Sequence, residues 1–326
     1  MAVDLKTSVC GFNLRHPVML GSGPLGVRAD QLLKFGHVAS AVITKSISLQ
    51  PSVGSPQPRI ARINHEGMLN YEGGPNPGIE EFSRIIKQVK PDMECPLIGS
   101  LSPRTLRLTT GMEELAARFE EAGADAIELD FKYLYDQKQF RTDFQLRQIS
   151  GVLTRLRQAV RIPLIAKLAH GVTDITDLAK TAEDAGASAI SGINTVFPAM
   201  KISLRRRAPI LSMKYGGLSG APIRPLAVAS VFRIASAVQV PVIGIGGIMT
   251  GEDVLEFLLA GACAVQIFTV AMVKEEKAFT QIVGELQSCM EQHHIPSVRE
   301  SVGVAQTAVV TGRTDEQWTS FFKAEP

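Results

Sequence analysis

Two short phrases alternate along this chain and limit what it can fold into. The first reads Ala122-Gly-Ala-Asp-Ala-Ile-Glu-Leu129, returns as Ala185-Gly-Ala-Ser-Ala-Ile-Ser-Gly192, and returns again as Ala260-Gly-Ala-Cys-Ala-Val-Gln-Ile267. Each closes a helical pattern with a glycine, as a helix C-cap does, and then enters a strand. The second phrase reads Cys95-Pro-Leu-Ile-Gly99, Ile162-Pro-Leu-Ile-Ala166 and Val240-Pro-Val-Ile-Gly244. Here proline opens a strand, where its missing N–H costs least. Runs of this kind place candidate strands at 17–22, 41–46, 96–101, 125–131, 163–168, 188–193, 241–246 and 264–269, with amphipathic helical patterns between most of them. Strand–helix alternation requires parallel pairing through right-handed crossovers. Eight such units predict an α/β fold, a closed (β/α)8 TIM barrel, with its site on the rim at the C-terminal ends of the strands. An open doubly wound sheet is the alternative; the even count and the lack of an obvious edge strand weigh against it.

Residues 1–326 read as a single barrel domain, with an appendage from about 295 onward that the repeat does not place. The connections 47–78 and 194–223 are too long for simple turns and follow strands, which makes them rim insertions. The basic run Arg205-Arg-Arg207 is short and reads as a solvated turn. A net charge of +2 gives no field that would steer the chain to nucleic acid or to an anionic membrane. Cysteines at 10, 95, 263 and 289 show no C-x-x-C spacing, so no internal iron–sulfur or zinc site and no other metal is expected. Free thiols, a first segment without a signal peptide's apolar core, and no apolar run of spanning length predict a soluble, cytoplasmic protein.

The phrase Gly244-Ile-Gly-Gly-Ile-Met-Thr-Gly-Glu-Asp253 sits after strand seven. Glycines there let backbone N–H groups face a ligand, and the helix that follows adds the positive end of its dipole. Thr250 with Asp253 fits a capping box at the helix start. Barrels often bind phosphate with the loops after strands seven and eight, so this corner is expected to hold one.

Alternation along the strands places charges inside the barrel. On strand four Ile127, Leu129 and Phe131 face the helices, which turns Glu128 and Asp130 inward; on strand five Lys167 turns inward, and on strand two Ile43 and Lys45 share the inner face. Isolated buried charges are costly, so these groups must pair with one another or with a ligand.

Together these residues resemble the dihydroorotate dehydrogenases, specifically the soluble class, and the related pyrimidine-ring domain of dihydropyrimidine dehydrogenase. The resemblance covers roughly residues 5–275 and rests on Thr44-Lys-Ser46, Gly67-Met-Leu-Asn-Tyr71 with Asn76-Pro-Gly78, Lys167-Leu168 with Val172-Thr-Asp174, Ile193-Asn-Thr195, Gly216-Gly-Leu-Ser-Gly220 and the Gly244 phrase, all in order. It implies an FMN enzyme and a homodimer. Gly21, Ser22, Gly23, Lys45 and Ser46 would line the flavin, and Lys167 would stand by the ring edge that becomes negative on reduction. Gly216, Gly217, Gly220, Gly246, Gly247 and Thr269 would hold the phosphate and ribityl region. Asn70, Asn194 and Thr195 match positions that hydrogen-bond a pyrimidine substrate, with Asn194 also beside the flavin.

The resemblance fails at the end of strand four. The family reads Glu-Leu-Asn-Ile-Ser-Cys-Pro-Asn or has Ser for Cys; here the chain reads Glu128-Leu-Asp-Phe-Lys-Tyr-Leu-Tyr135. The active-site base falls on Tyr133, a flavin-side Asn on Asp130, and substrate-binding Asn residues on Tyr135 and Ser100. After Lys167-Leu168 a typical Ser-Pro-Asn is Ala169-His-Gly171. A phenol of ordinary pKa about 10 is a poor base at neutral pH and a good proton donor. The expected activity is therefore FMN-dependent oxidoreduction at a CH–CH or C=C bond of a small cyclic substrate, in the reductive direction, with Tyr133 as proton donor. Lys132 and Lys45 complete the candidate catalytic set; Lys132 or His170 would tune Tyr133 or bind a substrate anion. Authentic dihydroorotate or dihydropyrimidine oxidation, a flavoprotein subunit without turnover, and a phosphosugar aldolase using Lys167 as a Schiff base are the alternatives. Without an internal relay, a soluble redox partner or a separate electron-transfer subunit is needed.

Overall fold

The computed structural model describes residues 3–63, 66–102, 111–131, 142–171 and 174–308. Eight parallel strands form a closed barrel in sequence order: β1 (Val18–Leu20), β2 (Val42–Ile47), β3 (Leu97–Leu101), β4 (Ala126–Asp130), β5 (Leu164–Leu168), β6 (Ala189–Gly192), β7 (Val242–Ile245) and β8 (Ala264–Ile267). β8 closes on β1 through Val265, Gln266 and Ile267 opposite Val18, Met19 and Leu20. The helices are α1 (Ala29–Gly36), α2 (Ile79–Val89), α3 (Met112–Ala122), α4 (Thr142–Ala159), α5 (Ile175–Asp184), α6 (Arg224–Ala235) and α7 (Gly251–Leu259), followed after β8 by α8 (Ala271–Lys274) and α9 (Lys277–Gln292).

The expected alternation sorts the strand residues into two cores. Val42, Leu97, Ile127, Leu129, Leu164, Ala166, Leu168 and Val265 face outward into one cluster with helix residues such as Phe82, Phe119, Leu153, Phe257 and Phe279. Fully burying each such side chain contributes about 1.5–3 kcal/mol, which makes this shell the main source of stability. The α2 helix shows how the pattern works: Ile79, Phe82, Ser83, Ile86 and Val89 recur at helical spacing and are its buried face. Met19, Ile43, Ile98, Ala126, Ile165, Ala189, Ile243 and Ala264 point inward and fill the N-terminal half of the barrel. The hairpin of Thr7–Val9 and Phe12–Leu14 packs Val9 and Leu14 against them. Among the described residues that end is filled. The glycine of the repeated Ala-Gly-Ala phrase has positive φ in all three copies, 104° at Gly123, 93° at Gly186 and 115° at Gly261, which is what ends each helix there.

The two rim insertions depart from the reading of long loops. Their short strands pair with one another in a four-stranded sheet, ordered Val196–Ala199, Gly216–Gly220, Gly67–Asn70, Ile60–Arg62. Gly217 stands opposite Asn70 and Gly220 opposite Gly67. Nothing in Gly-Gly-Leu-Ser-Gly carries strand propensity; pairing between segments far apart in sequence makes it a strand. The first insertion is tied at its base by Asn76, whose Oδ1 accepts from Ser48 N at 3.1 Å and Gly78 N at 2.9 Å. Arg205, Arg206 and Arg207 are exposed at the turn between the paired segments Ile202–Ser203 and Ala208–Pro209. The segment after 295 is placed by the fold: Val298 is buried, and its N–H donates to Asp4 O at 2.9 Å. Among the described residues no helix is long and apolar enough to cross a membrane.

Candidate active site

A cavity of about 800 Å³ opens at the C-terminal end of the barrel, beneath the rim sheet. Its floor is a network of side chains that the alternation of β4, β5, β6 and β8 turns inward. Lys167 Nζ donates to Glu128 Oε1 at 3.1 Å and to Gln266 Oε1 at 3.4 Å. Glu128 has no exposed surface, and its other oxygen accepts from Ser191 Oγ at 3.0 Å and from Gln266 Nε2. A buried carboxylate satisfied on both oxygens fixes the position of the ammonium that borders the cavity. Gln266 and Ser191 were not singled out by sequence. The alternation that placed Lys167 would also have found them, since Val265 and Ile190 face the helices.

β2 and β3 form the adjoining wall. An extra residue between Ile43 and Ser46 shifts the register of β2 against β3. That bulge brings Lys45 and Ser46 both to the cavity, where simple alternation would have brought only one. Thr44 Oγ1 accepts from Ser100 N at 2.9 Å and donates to Lys45 O at 3.0 Å, which holds the bulge. Ser100 is fully buried behind this wall, within 2.9 Å of Ser46 Oγ and 3.2 Å of Ser22 Oγ, and does not itself face the cavity.

Across the mouth, Asn194 Nδ2 donates to Asp130 Oδ1 at 2.8 Å, and Asn194 Oδ1 accepts from Thr195 N at 2.6 Å. Asp130, Asn194, Thr195 and Asn70 all line the cavity. Asn70 also reaches back into the rim sheet, where its Nδ2 donates to Gly217 O at 3.4 Å. Gly216 and Gly217 lie in that sheet rather than on the cavity wall; Gly220 and Ser219 reach the wall. Lys132, Tyr133 and Tyr135 lie outside the described residues.

Gly246, Gly247, Ile248 and Thr269, from the loops after β7 and β8, line the same cavity. Gly247 has φ of 82°, and a Cβ there would lie 2.8 Å from the backbone nitrogen of Arg224. A side chain is excluded, and the backbone itself forms the wall. The capping box of Thr250 and Asp253 is present. It changes the expected role of the helix start. Asp253 Oδ2 accepts from Met249 N at 2.7 Å and Thr250 N at 3.0 Å, and Glu285 Oε2 accepts from Gly251 N at 2.9 Å. Arg224 pairs with the other oxygen of Asp253. The protein's own carboxylates thus take the amides of Met249, Thr250 and Gly251 at the entry to α7, and the loop at 246–248 before them lines the cavity. Burial pushes the thiols of Cys10, Cys95 and Cys263 up to about 12, so none is a thiolate nucleophile at neutral pH.

Fold and site together define a (β/α)8 barrel with a charged floor and a glycine-lined loop on one cavity. The family model for dihydroorotate dehydrogenase matches residues 4–290. The chain is 37% identical over 307 residues to dihydroorotate dehydrogenase B (NAD(+)), catalytic subunit, of Methanothermobacter thermautotrophicus, covering 92% of this chain and 98% of that protein. It is 36% identical over 308 residues to the protein of the same name from Methanocaldococcus jannaschii, with 92% and 98% covered, and 38% identical over 310 residues to that of a Geobacter species, with 93% and 98% covered. A crystal structure of DHODH in complex with ferulenol from Eimeria tenella superposes with a TM-score of 0.79 at 22% identity, covering 94% of this chain and 89% of that one, which shows the shared fold.

This chain belongs to the dihydroorotate dehydrogenase family. It is accordingly an oxidoreductase of the CH–CH class, and the family's enzymes are FMN flavoproteins. Membership sets aside the aldolase alternative. The residues present fit FMN: Lys167 and the 246–248 loop line one cavity of about 800 Å³, and a Cβ on Gly23 would lie 2.2 Å from the Phe268 ring, so the wall there admits no side chain.

Proposed function

We propose that this protein uses FMN to reduce an activated C=C bond in a small cyclic substrate, with Tyr133 as the proton donor. The observation that carries the reading is the cavity itself. It brings a fixed ammonium, Lys167, and the glycine backbone of Gly246 and Gly247 to one cavity. Bound FMN would supply hydride exchange with a carbon of the substrate. Gly246, Gly247 and Thr269 would hold its phosphate, Gly21, Ser22 and Ser46 its ring, and Lys167 the edge that gains negative charge. Asn70, Asn194 and Thr195 would orient the substrate ring by hydrogen bonds, and the rim sheet above them would exclude water. Tyr133 would give its phenolic proton to the carbon next to the one reduced, completing saturation of the bond. Lys132 would hold the phenol's charge balance.

The name of the relatives, a catalytic subunit with NAD(+), supports exchange of electrons with a separate protein. A homodimer in the cytoplasm is the assembly and compartment that go with this reading. The test is anaerobic reduction of the flavin in the purified protein, followed by mixing with orotate, uracil, fumarate and other unsaturated compounds. Reoxidation by a cyclic C=C compound, lost in Tyr133→Phe while the yellow colour stays, is the expected result. A colourless protein, or full turnover in Tyr133→Phe, would overturn it.

A further inference from the structure

The cavity wall contains two described cations, Lys45 and Lys167, and each is already held by a carboxylate of this chain. Glu128 holds Lys167 from within the barrel. Lys45 is held differently: its Nζ donates at 2.6 Å to Oε2 of Glu72, which reaches down from the rim. The two side chains are 9% and 16% exposed, so water screens the pair little.

Both partners are fixed by backbone. Lys45 is brought to the wall by the β2 bulge. Glu72 follows the strand Gly67–Asn70, with Tyr71 N donating to Arg59 O at 2.8 Å and Ser55 N to Glu72 O at 2.7 Å. Gly73 and Gly74 then turn the chain with φ of 71° and 70°. The carboxylate is therefore built into the mouth. Next to it Tyr71 and Phe197 form a ring pair 6.4 Å apart, and both line the cavity, offering a flat apolar contact.

A ring bearing a carboxylate and entering here would meet Glu72 as a like charge, or would have to displace it from Lys45. An uncharged ring with N–H groups meets a carboxylate with capacity for further hydrogen bonds. We propose that Glu72 is a specificity-determining residue, which closes the Lys45 position to substrate carboxylates and selects an uncharged ring amide or imide. This rests on the reading of the cavity as the FMN and substrate site.

The experiment titrates the oxidised holoenzyme with uracil and with orotate, which differ by one ring carboxylate, and follows the flavin absorbance. The native protein is expected to bind uracil at least tenfold more tightly than orotate. Glu72→Gln keeps the shape and releases Lys45, and should shift the ratio toward orotate by roughly 10- to 100-fold, about 1.4 kcal/mol for each tenfold. Adding Lys45→Met to Glu72→Gln should reverse that shift. The double variant Lys45→Met/Glu72→Ile leaves no charge to bury and serves as the folding control. Flavin content, read first for every protein, tests the flavoenzyme reading separately. A yellow native protein that prefers orotate overturns the role of Glu72. So does an unchanged ratio in Glu72→Gln, or a flavin spectrum that neither compound perturbs in either protein.

Discussion

Lys167 Nζ lies 3.1 Å from Glu128 Oε1, at the floor of the cavity, and Glu128 has no exposed surface. The pair joins the two tasks of the barrel: Glu128 belongs to the interior, and Lys167 presents its charge to whatever occupies the cavity. Removing one partner leaves the other charge buried, at a cost of about 3–5 kcal/mol.

Lys167→Met should therefore both destabilise the protein and slow flavin reduction at least 100-fold. Lys167→Met/Glu128→Leu should recover most of the stability and none of the rate. Urea denaturation and stopped-flow absorbance read the two effects. Recovery of rate in the double variant would show that the ammonium has no part in the chemistry.

Gly247→Ala should give a folded protein that binds FMN at least tenfold more weakly. The φ of 82° disfavours alanine by about 1–2 kcal/mol, and its Cβ would press on the Arg224 backbone 2.8 Å away. Reconstitution of the apoprotein, followed by flavin fluorescence, measures the loss.

Thr250→Ala separates the two parts of the Gly244 phrase. Losing the cap should cost about 1 kcal/mol of stability. FMN affinity should stay unchanged, because the amides of Met249, Thr250 and Gly251 are held by Asp253 and Glu285. A large drop in affinity would return the helix terminus to the phosphate site.

Acid sensitivity should trace to His16. Its ring accepts from Val18 N at 3.3 Å and donates to Val38 O at 3.1 Å, a pattern that suits the neutral form. Burial, with the nearby Arg15 charge, lowers its pKa from 6.5 to about 4. Between these values the unfolded chain carries a proton that the folded chain refuses. Stability is then complete above about pH 6.5 and falls as the pH drops toward 4, by up to about 3 kcal/mol. Denaturation midpoints at pH 7.5 and pH 5 should differ in the native protein, and His16→Gln should reduce the difference.

How far the sequence is legible depends on whether a feature is local. Six of the eight strands follow from the two alternating phrases, because a run of strand-forming residues after a proline or after a helix-ending glycine is a property of neighbouring residues. The inward turn of Glu128, Asp130 and Lys167 comes from the same rule. The rim sheet is not visible that way. Gly216–Gly220 has no strand character of its own and becomes a strand only against Gly67–Asn70. The resemblance makes Ser100 a substrate residue, yet the β2 bulge places Ser46 in front of it.

The Glu72–Lys45 contact shows the same limit at the site. Lys45 sits within a phrase that the family resemblance picked out, while Glu72 lies just past the end of another, and their meeting depends on a bulge in one strand and a turn in an insertion. The sequence by itself determined the barrel and the charges that must lie inside, since each is a matter of residue type repeated at fixed spacing, and its resemblance to a known family supplied the cofactor class. The tertiary structure alone decided which charges neutralise which, and which glycines face the cavity, because a distance of 2.6 Å between residues 27 positions apart is set by the packing of the whole barrel.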